Sequence, residues 1–286
     1  MSSLKEIKTR IQSVKSTQKI TSAMKMVSSA KLRKAEKTIE NFYPYEEQLD
    51  KLLTNFLSDE GDIISPLIIN REVKQVAIIV FSSNSSLCGS FNSNVNKLLN
   101  QTILKYNTLG NENIMIYPVG KKVSQACVKM GFVPAGNFED MANKPTYEKA
   151  IQLADEMMHL FNDKSIDSVE IIYHHFQNKS SQVLKIETYL PIQLKPHPKN
   201  VQKLDYIVEP SRDVIMNDLI PKVLRLKLYT ALLDSNASEH AARSVAMQIA
   251  TDNANDLLQE LSLLYNKSRQ QAITNELLDI MGGLFK

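Results

Sequence analysis

The chain has no tryptophan, two cysteines and eight glycines among 286 residues, and no long hydrophobic run. Each scarcity excludes something. Cys88 and Cys127 cannot build a disulfide framework or a four-thiolate zinc site, so both read as reduced core thiols. A membrane-spanning helix needs about 20 mostly apolar residues in a row. The apolar clusters here, such as residues 76–81, stop far short of that. The amino end, Met1-Ser2-Ser3-Leu4-Lys5-Glu6, lacks the apolar core of a secretory signal, so a cytosolic chain is expected.

Where the helix breakers are missing matters as much as their number. Every glycine lies within residues 61–136 or at Gly282-Gly283, and all ten prolines fall within residues 44–221. Residues 2–43 and 222–281 therefore contain neither, and both can be continuous helix. Sixty residues at 1.5 Å each would run about 90 Å, too long for a compact domain to cover. Acidic charge is scarce at the amino end as well. Residues 1–37 hold ten basic groups against Glu6 and Glu36, a net +8, while the whole chain is +3 and the rest therefore −5. Such a segment seeks an acidic partner.

What is present fits that outline. Ser3 and Glu6 have capping-box spacing, and Leu4, Ile7, Ile11 and Val14 follow at coiled-coil intervals. Beyond them the apolar stripe is expected at Ile20, Met24 and Val27 among small residues, until Pro44 kinks or interrupts the helix before a last amphipathic segment at Leu49, Leu52, Leu53, Phe56 and Leu57. From Glu72 the period changes. Strands are expected at 76–81, 114–119, 168–176 and 182–190, the last two a hairpin, with helices near 93–106, 121–130 and 147–161. Strand alternating with helix means a small α/β domain on a largely parallel sheet. Pro191, Pro196, Pro198 and Pro210 mark its exit, and a helix over 213–280, with a leucine stripe at Leu257, Leu261 and Leu264, ends at Gly282-Gly283 as at a C-cap. The expected fold is a long antiparallel coiled coil of N- and C-terminal helices with a Rossmann-like α/β domain inserted, divided as 1–58, 72–195 and 210–286.

The chemical motifs are weak. Gly120-Lys121 has Met115 and Lys122 where a phosphate-binding loop needs Gly and Ser or Thr, so no nucleotide cofactor is expected. The Ser82–Phe91 loop offers hydroxyls and the Cys88 thiol after a strand, a frequent ligand position, but no histidine is placed locally to activate them. His174 and His175 point to opposite strand faces and cannot easily share a metal. The basic amino-terminal helix can be a solvated face, a nucleic-acid binder or a match for an acidic protein surface. With no aromatic before Phe42 the protein surface is favoured over nucleic acid.

Long ordered motifs narrow the choice. Residues 15–34, KSTQKITSAMKMVSSAKLRK, closely resemble the amino-terminal helix of the F-type ATP synthase gamma-subunit family. Residues 237–243 (ASEHAAR), 250–254 (ATDNA), 265–270 (YNKSRQ) and 273–283 (ITNELLDIMGG) resemble successive blocks of its carboxyl-terminal helix, so the likeness spans the chain at the length of a bacterial member. Two departures stand out: Asn84-Ser85-Ser86-Leu87-Cys88-Gly89 replaces an Asp-Arg-Gly-Leu-Cys-Gly type loop, and Leu284 replaces a common alanine. No cysteine-bearing insertion interrupts residues 189–209, so the thiol-regulated chloroplast type is not indicated.

The resemblance implies a non-catalytic central-stalk rotor at the cytoplasmic face of a bacterial inner membrane. Its partners would be the alpha and beta subunits, epsilon and the c ring, and its work would be coupling proton flow to ATP synthesis. Together with the charge pattern it implies that Lys25, Lys31, Arg33 and Lys34 face acidic beta-subunit residues, with Arg269, Gln270, Thr274 and Glu276 as the polar beta contacts higher up. Tyr43, Pro44 and Tyr45, with Tyr206 and Glu209, would form the foot near the c ring and epsilon. The competing readings are a structural or nucleic-acid-associated coiled coil with an α/β head, and an α/β enzyme using the Ser/Cys loop.

Overall fold

A computed structural model of the chain describes residues 4–58, 65–193, 208–209 and 211–284. Ser3 of the expected capping box, Pro196, Pro198 and Pro210 of the exit loop, and Tyr206 lie outside the described residues. Helix α1 runs Leu4–Ser58 and helix α6 runs Arg212–Leu284. Between them come β1 (Val76–Phe81), α2 (Phe91–Lys105), β2 (Ile114–Val119), α3 (Lys121–Lys129), α4 (Glu139–Asn143), α5 (Tyr147–Asn162), β3 (Ser168–Asn178) and β4 (Ser181–Leu190). The short α4 was not expected from the sequence. Contacts divide the chain into two units, Met1–Ser29 with Arg243–Lys286, and Ala30–Ala242.

In the first unit α1 and α6 pack antiparallel. Thr21 Oγ1 lies 2.8 Å from Thr251 Oγ1, and Ser29 Oγ lies 2.8 Å from Ser244 Oγ, so the numbering ascends on one helix as it descends on the other. Thr21, Ser28 and Ser244 are buried, and with Met247, Ala254 and Leu261 they make a seam in which hydroxyls alternate with apolar groups. Small side chains let the two backbones approach, and the buried Thr21, Thr251 and Ser244 hydroxyls find partners.

The second unit is built on a four-stranded sheet ordered β2-β1-β3-β4, with β1 parallel to both β2 and β3, and β4 antiparallel at the edge. All six residues of β1 are buried, because both faces of the sheet are covered. On one face Val76, Ile78 and Val80 meet Val95 and Leu99 of α2 and Val123 and Cys127 of α3. On the other, Ala77, Ile79 and Phe81 share a core with Leu153 and Met157 of α5, Leu228 and Leu232 of α6, and Leu32 and Ile39 of α1. Residues 226–241 of α6 are buried or half-buried on every side, since the sheet takes one side of the helix and α1 another.

Three expectations are corrected. Pro44 does not interrupt α1, which continues to Ser58. The proline removes one backbone bond, but anchors on both sides hold the helix: Phe42 packs edge-on against Tyr229, and Leu49 and Leu53 are buried. Gly282-Gly283 does not cap α6, because both glycines lie within the helix. Finally, the apolar stripe does not pass through Ile20 and Val27, which are 60% and 58% exposed. Burial keeps strict three-and-four spacing from Leu4, Ile7, Ile11 and Val14 through Gln18, Thr21, Lys25 and Ser28, then Leu32, Ala35, Ile39, Phe42, Glu46, Leu49 and Leu53. A seam with a 3.5-residue period cannot turn aside for an apolar side chain one step off it. On α6, Leu261 is buried, Leu257 half-buried and Leu264 exposed.

Candidate functional site

Much of the loop after β1 is engaged in holding itself to α2 and α3. Ser83 Oγ donates to the Ser85 carbonyl at 2.6 Å, the Ser83 amide donates to Asn92 Oδ1 at 3.1 Å, and Asn92 Nδ2 donates to Cys88 Sγ at 3.1 Å. The free amides opening α3, where a phosphate would sit in a nucleotide-binding fold, are spoken for. Lys121 N donates to Asn84 Oδ1 (2.8 Å), Lys122 N to the Ser83 carbonyl (3.1 Å) and Val123 N to Ser82 Oγ (3.0 Å). Gly120 makes this fit possible: its φ is +116°, and a Cβ there would stand 2.4 Å from the Ser82 carbonyl oxygen. Burial pushes the Cys127 thiol up to about 11.

His174 and His175 do turn to opposite faces. His174 is buried and stacks on Phe91 at 4.2 Å; burial lowers its pKa to about 4, and Nδ1 has no hydrogen-bond partner among the described residues. His175 points the other way, its Nδ1 lying 2.6 Å from Asp234 Oδ2 on α6. The second oxygen of Asp234 accepts the Tyr43 hydroxyl of α1 at 2.5 Å. One buried carboxylate thus ties a strand to both long helices. It lies in a groove of about 1070 Å³ lined by α1, α6, β3 and β4. The sequence offered Asp234 and Glu46 no distinguishing pattern except charge at helix positions where apolar residues are usual.

The sequence-predicted contact residues are all on the long helices or just before α6. Lys31, Arg33 and Lys34 are exposed on α1, whereas Lys25 is half-buried at a seam position. Arg269, Gln270, Thr274 and Glu276 are exposed on α6 but do not form one line. Arg269 and Glu276, two turns apart, share one side, and Gln270 and Thr274 share another about 100° around the helix. The Thr274 hydroxyl donates to the Gln270 carbonyl at 2.9 Å. Leu264, expected in the leucine stripe, is itself exposed, as are Ile273 and Leu277. Of the foot set, Pro44, Tyr45 and Glu209 are exposed, while Tyr43 is turned inward to Asp234.

Among the described residues no helix is long and apolar enough to cross a membrane, and no group of His, Cys, Asp and Glu is arranged to hold a metal. A family model described as ATP synthase matches residues 3–284. The chain is 59% identical to an ATP synthase gamma chain of Phocaeicola vulgatus and 58% identical to one of Bacteroides fragilis, in each case over 99% of both chains. In fold it is similar to the rotor of the Euglena gracilis mitochondrial ATP synthase, with a TM-score of 0.65, 19% identity and coverage of 94% of this chain and 98% of that one. It is also similar to a chain of the central stalk and c ring of the Tetrahymena thermophila enzyme, with a TM-score of 0.56, 22% identity and coverage of 81% and 99%. With the two long terminal helices, the inserted sheet domain and 59% identity over nearly the whole chain all in agreement, the chain belongs to the ATP synthase gamma-chain family.

Proposed function

We propose that this chain is the central-stalk rotor of a bacterial F-type ATP synthase, peripheral to the cytoplasmic face of the inner membrane. It couples rotation of the c ring to ATP synthesis at the alpha/beta head and catalyses nothing itself. The observation that carries the reading is the end of α6. There Ile273, Leu277, Leu278, Ile280 and Met281 are all exposed on one helix, an arrangement that calls for a surrounding protein surface. A non-catalytic role is supported by the loop after β1, where the Ser82 hydroxyl and the Asn84 side chain accept the first α3 amides and the Ser83 hydroxyl donates to the Ser85 carbonyl. Family membership displaces the nucleic-acid reading, and the basic face of α1 is assigned to acidic residues of the beta subunits.

On this reading the functional division is 1–58 and 210–286 for the stalk and 72–195 for the domain facing the c ring and epsilon. Pro44, Tyr45 and Glu209 are the free members of the foot set, whose remaining residues are Tyr43 and Tyr206. Lys25 belongs to the beta-facing set through its ammonium, its stem lying along the seam. Exposed charge pairs contribute only about 0–1 kcal/mol each, so single alanine changes at Lys31, Arg33 or Lys34 should be mild. Reversing all three to Glu in the assembled complex should lower ATP-driven proton pumping while leaving assembly intact. Unchanged pumping would remove the electrostatic assignment. Replacing Arg269 and Gln270 together with Ala should lower steady-state turnover of the complex, and normal turnover would leave that pair merely solvated.

A further inference from the structure

Glu46 occupies a seam position of α1, between Phe42 and Leu49, where the spacing of the helix calls for an apolar side chain. It lines the groove shared by α1, α6, β3 and β4. The charges around it are unevenly matched. From α1 itself come Asp50, one turn on, Tyr43, and Glu47, which is paired with Lys51 at 2.7 Å. From α6 come Asp234, Lys227 and the hydroxyl of Thr230. Strand β3 supplies Tyr173 and His175, and β4 supplies Lys185 and Glu187. The cation facing Glu46 is already shared, since Lys227 Nζ lies 3.6 Å from Glu187 Oε2, and Glu187 also accepts the Tyr173 hydroxyl at 3.1 Å.

Two carboxylates in one partly buried site cannot both ionise cheaply. The hydrogen bonds decide which one keeps the charge. Asp234 has a donor on each oxygen, Tyr43 on Oδ1 and His175 on Oδ2, and both arrangements favour the anion. Glu46 has a shared lysine and a shared hydroxyl, since Thr230 Oγ1 also donates to the Leu226 carbonyl at 3.1 Å.

We infer that the Glu46–Asp234 pair is a proton-binding site at the junction of the two long helices with the sheet, in which Asp234 holds the negative charge and Glu46 takes up a proton from solvent. Losing that proton places a further anion beside Asp234 and Asp50 and loosens the grip of α1 on α6. Burial, with Asp234 and Asp50 nearby, raises the Glu46 pKa from 4.5 to about 7, against the pull of Thr230 and Lys227. Burial also raises Asp234, while the Tyr43 and His175 hydrogen bonds pull it back. Because the folded value for Glu46 is the higher one, the stabilisation is complete below about 4.5 and is lost as pH rises through about 7, after which it changes no further.

The test compares the full chain with its Glu46→Gln variant across pH 5 to 8. The melting temperature of the variant relative to the unsubstituted chain should climb by a few degrees over that interval. Parallel curves would overturn the proposal. Glutamate carboxyl carbons, labelled and followed by NMR in the unsubstituted chain, give a second reading that needs no stable variant. One resonance should titrate near neutrality, identified by its loss in Glu46→Gln or Glu46→Asp. A Glu46 resonance titrating near the ordinary 4.3 would equally overturn the site.

Discussion

At the scale of single residues, the least replaceable position is one the sequence marks only by being glycine. Gly120 stands where β2 hands over to α3, and its lack of a side chain lets Ser82 and Ser83 reach the first amides of that helix. Alanine there would combine a backbone angle that L residues rarely adopt with a contact at 2.4 Å to a main-chain oxygen, which cannot swing aside. Gly120→Ala should therefore cost at least about 2 kcal/mol in urea unfolding. Gly110 separates the two causes. It also has positive φ, but a Cβ there meets nothing within 4 Å, so Gly110→Ala should cost about 1 kcal/mol through the backbone alone. Equal losses at the two sites would mean that the packing against Ser82 contributes nothing. The same loop shows why its hydroxyls could look like a catalytic set on paper. Sequence spacing reports which polar groups are near one another, while only the fold reveals that Ser82, Ser83, Asn84 and Cys88 already have partners.

At the scale of elements, α1 displays the strength and the limit of periodicity. Its first four seam residues are apolar and announce the register, and the register then continues through Gln18, Thr21, Lys25 and Ser28, where residue type no longer does. Following hydrophobicity locally leads to Ile20 and Val27, whereas following the spacing leads to the buried positions. Mutation distinguishes the two. Leu32→Ala and Ile39→Ala delete buried side chains and should each destabilise the isolated chain by about 2–5 kcal/mol. Ile20→Ala and Val27→Ala should stay within about 0.5 kcal/mol by the same denaturant measurement. A large loss at Ile20 would show that the seam runs elsewhere. The sheet was far more legible. Doubly buried runs such as Val76–Phe81 have the length and β-branching of parallel strands, and observed strand ends differ from expected ones only at the hairpin. Pro44 was misleading because a proline reports its own lost bond and not the anchors beside it.

For the molecule as a whole, the two contact units have different kinds of interior. The second has a sheet covered on both faces, with the 226–241 stretch of α6 enclosed on all sides. The first has two helices meeting along a seam of hydroxyls and small side chains, with Leu263, Leu277, Leu278 and Ile280 left exposed. Less apolar burial per residue means a lower free energy of local opening. In hydrogen exchange on the isolated chain, backbone amides of residues 4–29 and 243–281 should exchange faster than those of 226–241. Uniform protection along α6 would contradict that difference. Surrounding the exposed residues with partner subunits should slow exchange at the end of α6 most, because that is where apolar surface remains open.

The sequence by itself determined the two long helices, the strands, most helices of the inserted domain and the family. These follow from local periodicity, from the placement of glycine and proline, and from motifs read in order along the chain. Only the tertiary structure decided what Tyr43, Glu46, His175 and Asp234 do. They come from three separate stretches of the chain, and their meeting depends on how α1, α6 and β3 pack. Tyr43 reads as a surface aromatic beside a proline until the fold turns its hydroxyl onto a buried carboxylate. Glu46 reads as one more helix-surface acid until the seam carries it inside. The physical reason is the same for both: periodicity fixes the direction a side chain takes from its own element, whereas burial and charge balance are set by what the other elements bring to that place.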